Sequence, residues 1–250
     1  MVRVKDVYEF IDSFAPYSTQ NEFDNSGYMT GDKNAEVKKI LVSLDLTGDV
    51  LREAEENGVD LIVNHHPILF DAPKSIMSES LIYSVIKSGI SVISAHTNLD
   101  IADGGVNTAL FASLGVNEYK THETDPFLKI AEIEPVYSDE LIKKVASSLN
   151  TVVRHNGVKK TVKTLSICSG SGSQELYVAI DEGVDAFLTG EAKYHTFIDA
   201  DTNGILLMAA GHYETENVVV PVLAEKLRKQ FPDIEIIESN EKNPVNYYTK

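Results

Sequence analysis

Residues 41–64, LVSLDLTGDVLREAEENGVDLIVN, decide how this chain folds. An apolar run breaks at Gly48, an amphipathic stretch follows over Asp49–Asn57, and Gly58-Val59-Asp60 leads into a second apolar run. Short continuous apolar runs separated by helix-period stretches read as strands buried on both faces of an α/β sheet. The pattern returns at residues 167–189, where a strand, a Gly170/Gly172 turn and a helix are followed by Gly183-Val184-Asp185 and another strand. The next strands also correspond: residues 90–96, ISVISAH, and residues 204–212, GILLMAAGH, each end an apolar run in histidine. Four residues beyond those histidines stand Asp100 and Glu216. A repeat of this kind predicts two related half-domains. We therefore expect an α/β fold of two pseudo-symmetric αβα lobes, 1–125 and 126–250, with mostly buried sheets and a site in the cleft between them. The lobes are expected to form one compact body, with the final segment packing back.

Composition narrows the function classes. Of 250 residues, 22 are Lys or Arg and 38 are Asp or Glu, a formal charge of −16. So acidic a chain lacks the footprint of a general nucleic-acid binder or of a protein held on anionic lipid. Cys168 is the single cysteine, which rules out an intrachain disulfide and a Cys-rich zinc site and fits a cytoplasmic protein. No stretch approaches about 18 consecutive apolar residues, so no membrane span is expected, and Lys5 and Asp6 interrupt the N-terminus where a signal peptide needs its apolar centre.

Seven histidines remain to be explained. His65 and His66 end a buried strand before Pro67, His96 ends the next, and His212 ends its counterpart in the second half. Carboxyl ends of strands are where open α/β sheets bind ligands. Taken singly, each has a structural explanation: Asp100 as a helix N-cap after a polar Thr97-Asn98 turn, Glu216 as a first-turn acid, Thr215 as a cap. Together, imidazoles at strand ends with carboxylates nearby suit Zn, Mn, Fe, Co or Ni without thiolate. The candidates exceed what one four-coordinate ion uses, so the pattern points to two ions sharing a water. Asp24-Asn25-Ser26-Gly27 reads as a tight turn carrying a site acid. Residues 169–173, SGSGS, could offer amides to an anion, although a plain turn explains them as well. His195 is a candidate acid–base residue or a helix-surface one, and His122 and His155 read as solvated.

The segments 64–70 (NHHPILF), 95–100 (AHTNLD) and 210–216 (AGHYETE) resemble the GTP cyclohydrolase 1 type 2 homologues, also called Nif-three-like proteins. Residues 22–27 and 190–195 resemble further blocks of that family, so the likeness runs through nearly the whole chain. It implies a dinuclear centre with His65, His66, Asp100, His212 and Glu216 as ligands and Glu216 bridging. It also implies toroidal homohexamers, trimers of dimers with the sites facing inward, and the short form of the family. Phe23 stands where the family usually carries Trp.

These readings combine into an expected metal-dependent hydrolase with two divalent ions per chain. Its small, anionic substrate would be a nucleotide, phosphoester or cyclic amide, with His96 and His195 as proton carriers. The alternative is a non-enzymatic metal-binding, regulatory or delivery scaffold. A nucleic-acid-binding ring would need a lined basic channel, for which Lys159, Lys160 and Lys163 are too few.

Overall fold

The Gly-Val-Asp repeat builds the same local structure twice. In the computed structural model, which describes residues 1–248, Gly58 and Gly183 both end a helix in the left-handed region, at φ 64° and 67°. The aspartate two residues later then ties its strand to the preceding one. Asp60 Oδ2 accepts the N–H groups of Lys38 and Lys39 at 2.7 and 3.0 Å, and Asp185 Oδ2 accepts those of Lys163 and Thr164 at 2.8 and 3.2 Å. Each carboxylate thereby satisfies backbone donors at the mouth of a parallel strand pair.

The chain divides into two units. The first comprises Met1–Gly105 with the segment from Val219 onward, and the second comprises Val106–Val218. The dividing points thus lie at 105/106 and 218/219, whereas the sequence reading put one at 125/126. The irregular stretch near residue 125 lies inside the second unit, because its short strands join that unit's sheet.

The first unit begins with α1 (Val4–Phe14), β1 (Gly27–Thr30), β2 (Lys39–Ser43), α2 (Gly48–Asn57), β3 (Leu61–Asn64), α3 (Leu81–Ser88), β4 (Ser91–Ser94) and α4 (Thr97–Ile101). The second unit follows with α5 (Val106–Ser113), β5 (Lys120–Thr121), β6 (Lys129–Tyr137), α6 (Ser138–Ser148), β7 (Arg154–His155) and β8 (Thr161–Cys168). It continues through α7 (Leu176–Asp181), β9 (Ala186–Thr189), α8 (Tyr194–Thr202), β10 (Leu206–Ala209) and α9 (His212–Glu216). The chain then returns to the first unit as α10 (Val219–Gln230) and β11 (Glu235–Glu238).

The first sheet has the order β1-β4-β3-β2-β11, with β1 antiparallel and the others parallel. Leu41, Ile62 and Val92 pack against Val50 and Ala54 of α2 and Val85 of α3, while the alternate residues Ile40, Leu61 and Ile93 are equally buried on the opposite face. The second sheet has the order β5-β6-β8-β9-β10-β7, its centre the parallel trio β8-β9-β10. Leu165, Leu188 and Met208 meet α5 and α6 on one face, and Phe187 and Leu207 meet α7 and α8 on the other. Burial on both faces is what the unbroken apolar runs encode. Among the described residues, no helix is long and apolar enough to cross a membrane.

Candidate metal centre

In the first unit, β3 and β4 end side by side, with Asn64 in register with Ser94. The chain leaves strand geometry immediately afterwards, so the adjacent His65 and His66 need not point to opposite faces. Their ring centroids lie 4.9 Å apart, and those of His65 and His96 lie 5.1 Å apart. His65, His66 and His96 each offer a ring nitrogen within 4.8 Å of the other two.

All three rings are oriented through the same atom. His65 Nδ1 donates to the Ala95 carbonyl at 2.8 Å. His66 Nδ1 meets Asp45 Oδ1 at 2.8 Å, and His96 Nδ1 meets Asp24 Oδ1 at 2.9 Å. Oxygen acceptors on Nδ1 fix the proton there, which makes Nε2 the basic nitrogen of each ring. Asp45 was not singled out from sequence; its one signal was an acid just beyond the end of an apolar strand. In the stretch read as a tight turn, the turn itself falls at residues 22–23, and the acid, Asp24, faces the His96 ring. Its carboxylate also accepts from Thr97 N at 3.0 Å and from Ser26 Oγ at 2.9 Å. Burial alone would raise Asp24, but the bonds from His96 and Thr97 outweigh it and hold the carboxyl far below its ordinary range.

Asp100 lies within α4, so it is not an N-cap, and Thr97-Asn98 is buried helix rather than a polar turn. Its Oδ1 stands 3.5 Å from His65 Nε2, and both residues are buried. Two ligands about 2.1 Å from one tetrahedral ion stand about 3.4 Å apart. This pair therefore has the spacing of two ligands on one ion.

The second unit carries a matching pair. His212 is the first residue of α9, not the residue before it, and Glu216 follows one turn later on the same face. His212 Nε2 and Glu216 Oε2 are 3.0 Å apart, with Glu191 Oε1 at 3.3 Å from His212 Nδ1. Thr215 is no cap; its hydroxyl donates to Gly211 O at 2.8 Å and accepts from Gly170 N at 3.1 Å. Gly170 has φ +56°, and a Cβ there would run into the Glu216 carboxylate and stand 3.2 Å from His212 Nε2. The backbone is shaped around these two side chains.

The remaining candidates are placed as follows. The 169–173 loop spends its Ser169 amide on Asn107 Oδ1, its Gly170 amide on Thr215 and its Gly172 amide on Ser169 O, so it is a βα turn. Cys168 is buried at the end of β8. His195 is exposed at the start of α8. His155 is exposed, but His122 is half-buried, taking the Asp125 N–H on Nδ1 at 3.1 Å and lying 3.4 Å from Glu182, a correction to its reading as solvated.

The family model described as Duf34/NIF3 (NGG1p interacting factor 3) matches residues 2–244. A Clostridium perfringens protein named GTP cyclohydrolase 1 type 2 homolog is 34% identical, covering 98% of this chain and 100% of the relative. A Campylobacter jejuni protein of the same name is 33% identical over 99% of this chain and 100% of its own length. Among solved structures, the Staphylococcus aureus hypothetical protein SA1388 matches with a TM-score of 0.92 at 26% identity, covering 98% of this chain and 99% of that one. Reduced HcgD from Methanocaldococcus jannaschii matches at 0.83 and 28% identity over 96% and 98% of the two chains. With a family match spanning nearly its whole length and relatives above 30% identity, the chain belongs to the Duf34/NIF3 family.

Proposed function

We propose that this chain is a dinuclear divalent-metal protein acting as a metal-dependent hydrolase. His65, His66 and Asp100 of the first unit, with His212 and Glu216 of the second, are the residues that would hold the two ions. The observation that carries this is the cluster of three imidazoles, each with Nδ1 held on an oxygen and each offering a ring nitrogen within 4.8 Å of the other two. Divalent ions held there would supply Lewis acidity, polarising a substrate oxygen and lowering the pKa of water toward neutrality.

The chain's own residues do the rest. Asp45 holds the His66 ring and Asp24 holds the His96 ring. Because Asp24 keeps the Nδ1 proton of His96 in place, Nε2 is the atom through which His96 would take and return a proton. His195, exposed on α8, is proposed as a second carrier exchanging with solvent. The relatives named GTP cyclohydrolase 1 type 2 homologs support a nucleotide, phosphoester or cyclic amide substrate. Assembly as a homohexamer and residence in the cytoplasm belong to the same reading.

Elemental analysis of the purified chain tests it. Two divalent ions per chain are expected, with marked loss in His65→Ala and Glu216→Ala; unchanged metal in both variants would overturn the ligand assignment. A panel of nucleotides, phosphoesters and cyclic amides, assayed with the native metal restored, should show turnover. A fully loaded protein inert on all three classes would overturn the hydrolase.

A further inference from the structure

Beside the Asp45–His66 pair the first unit holds a cavity of about 270 Å³. Its wall includes Leu46, Ile68, Leu81 and Ile82 together with Asp45 and His66 themselves. Leu46 is buried beneath it, while Ile68, Leu81 and Ile82 are only half-buried and turn apolar surface into the space. A second apolar surface meets the cluster at His96. Phe70 is 46% exposed and meets His96 edge-on, ring centroids 5.4 Å apart at 88°. The loop bearing it is fastened where Asn25 Nδ2 donates to Leu69 O at 2.5 Å.

Half-exposed branched side chains around an open space mark a place where a ligand can remove apolar area from water. The volume sets its size. A closed cavity of about 150 Å³ holds one benzene, so this open depression of about 270 Å³ has room for a fused bicyclic ring. Its charge follows from the wall. The polar side chains of the wall are the Asp45 carboxylate, the His66 imidazole it holds and the Ser80 hydroxyl, and no Lys or Arg lines the space. An anion placed there would face a carboxylate with no Lys or Arg in the wall beside it, whereas a ring N–H would meet an acceptor.

We propose that this cavity is the specificity pocket of the candidate site and takes a neutral, flat, bicyclic ring bearing an N–H donor. The anionic part of a substrate then lies outside it, and Ile68, Leu81 and Ile82 select the ring. This rests on the reading of His66 as part of a metal-dependent reaction centre, and it narrows the substrate to molecules joining such a ring to the scissile bond.

Indole, with a neutral ring and one N–H, is the probe; benzoate is its anionic counterpart. Binding of each to the full chain is measured by saturation-transfer NMR and titration calorimetry, with divalent metal added and again in chelator. Indole should bind, benzoate at least tenfold more weakly. Ile82→Trp, which fills the cavity from a half-exposed position, should weaken indole at least tenfold while metal content stays unchanged. Leu81→Phe, a milder filling, should give a smaller loss in the same direction. Absent indole binding, or indole binding untouched by both variants, would overturn the pocket. Benzoate binding as tightly as indole would overturn its charge preference. The two arms together separate the readings: indole binding in chelator, with no metal taken up by the wild type in the metal-added arm, would refute the metal centre and leave the pocket standing.

Discussion

Gly170→Ala tests whether the backbone of the second unit is built around Glu216, and Gly183→Ala supplies the control. Both glycines sit in the left-handed region, at φ +56° and +67°. A Cβ there costs about 1–2 kcal/mol at either position. They differ in what the new methyl meets. At Gly183 there is nothing within 4 Å, whereas at Gly170 the methyl would collide with the Glu216 carboxylate and press on His212 Nε2 at 3.2 Å. Glu216 is only 4% exposed and cannot swing into solvent without disturbing α9. At about 2–4 °C per kcal/mol for a chain of this size, Gly183→Ala should lower Tm by about 2–8 °C with metal content intact. Gly170→Ala should lose at least a further 1 kcal/mol, of the order of displacing a buried hydrogen-bonding group, and should lose bound metal. Scanning calorimetry and elemental analysis on both variants give the answer. Equal Tm losses together with full metal in Gly170→Ala would refute the reasoning.

Three further outcomes are expected. Asp45→Asn should weaken metal binding about 10- to 100-fold by releasing the His66 ring, read by competition against a chromogenic chelator. Asp60→Ala should cost about 2 kcal/mol in urea denaturation, since two backbone N–H groups lose a charged acceptor that water partly replaces. For Asp185, burial raises the carboxyl, but the Lys160 ammonium and the Lys163 and Thr164 amides outweigh it and set it below its ordinary 3.8. A lowered folded value gives stability that is present above the unfolded value and lost as pH falls through the folded one. The wild-type advantage over Asp185→Asn should therefore hold at pH 7 and shrink progressively below about pH 3.9; a gap that widens in acid would contradict it.

The parallel centre of each sheet was legible because its strands are buried on both faces and announce themselves as unbroken apolar runs. β2, β3 and β4 fall on the runs at 40–46, 61–63 and 91–95, and β8, β9 and β10 on those at 164–168, 186–188 and 205–210. The edges were not. β5 and β7 are two residues each and exposed, and β11 is an edge strand only partly buried, so local sequence carries little of their pairing. The unit boundaries failed for a related reason: β11 lies against β2 through contacts almost two hundred residues apart, which no local signal reports. At the candidate site the histidines were conspicuous as rare residues at strand ends. Their orienting partners were harder to find, because Asp45 and Glu191 are two acids among 38 and only the fold says which face a histidine.

The return of the chain to its first unit constrains the order in which this protein can be made. The sheet β1-β4-β3-β2 is complete in sequence by Gly105, yet its fifth strand begins only at Glu235. At about 5–20 residues per second, the edge of β2 waits about 7–26 s for its partner while the whole second unit is synthesised. During that interval β2 presents unpaired backbone groups and apolar side chains to any other nascent strand. The wait is longer for Asp45, which stands 196 residues before Glu241, whose carboxylate accepts the N–H groups of Leu44 at 2.5 Å and Asp45 at 3.0 Å. The turn that carries the His66 partner therefore receives this fastening only after the whole second unit has been synthesised.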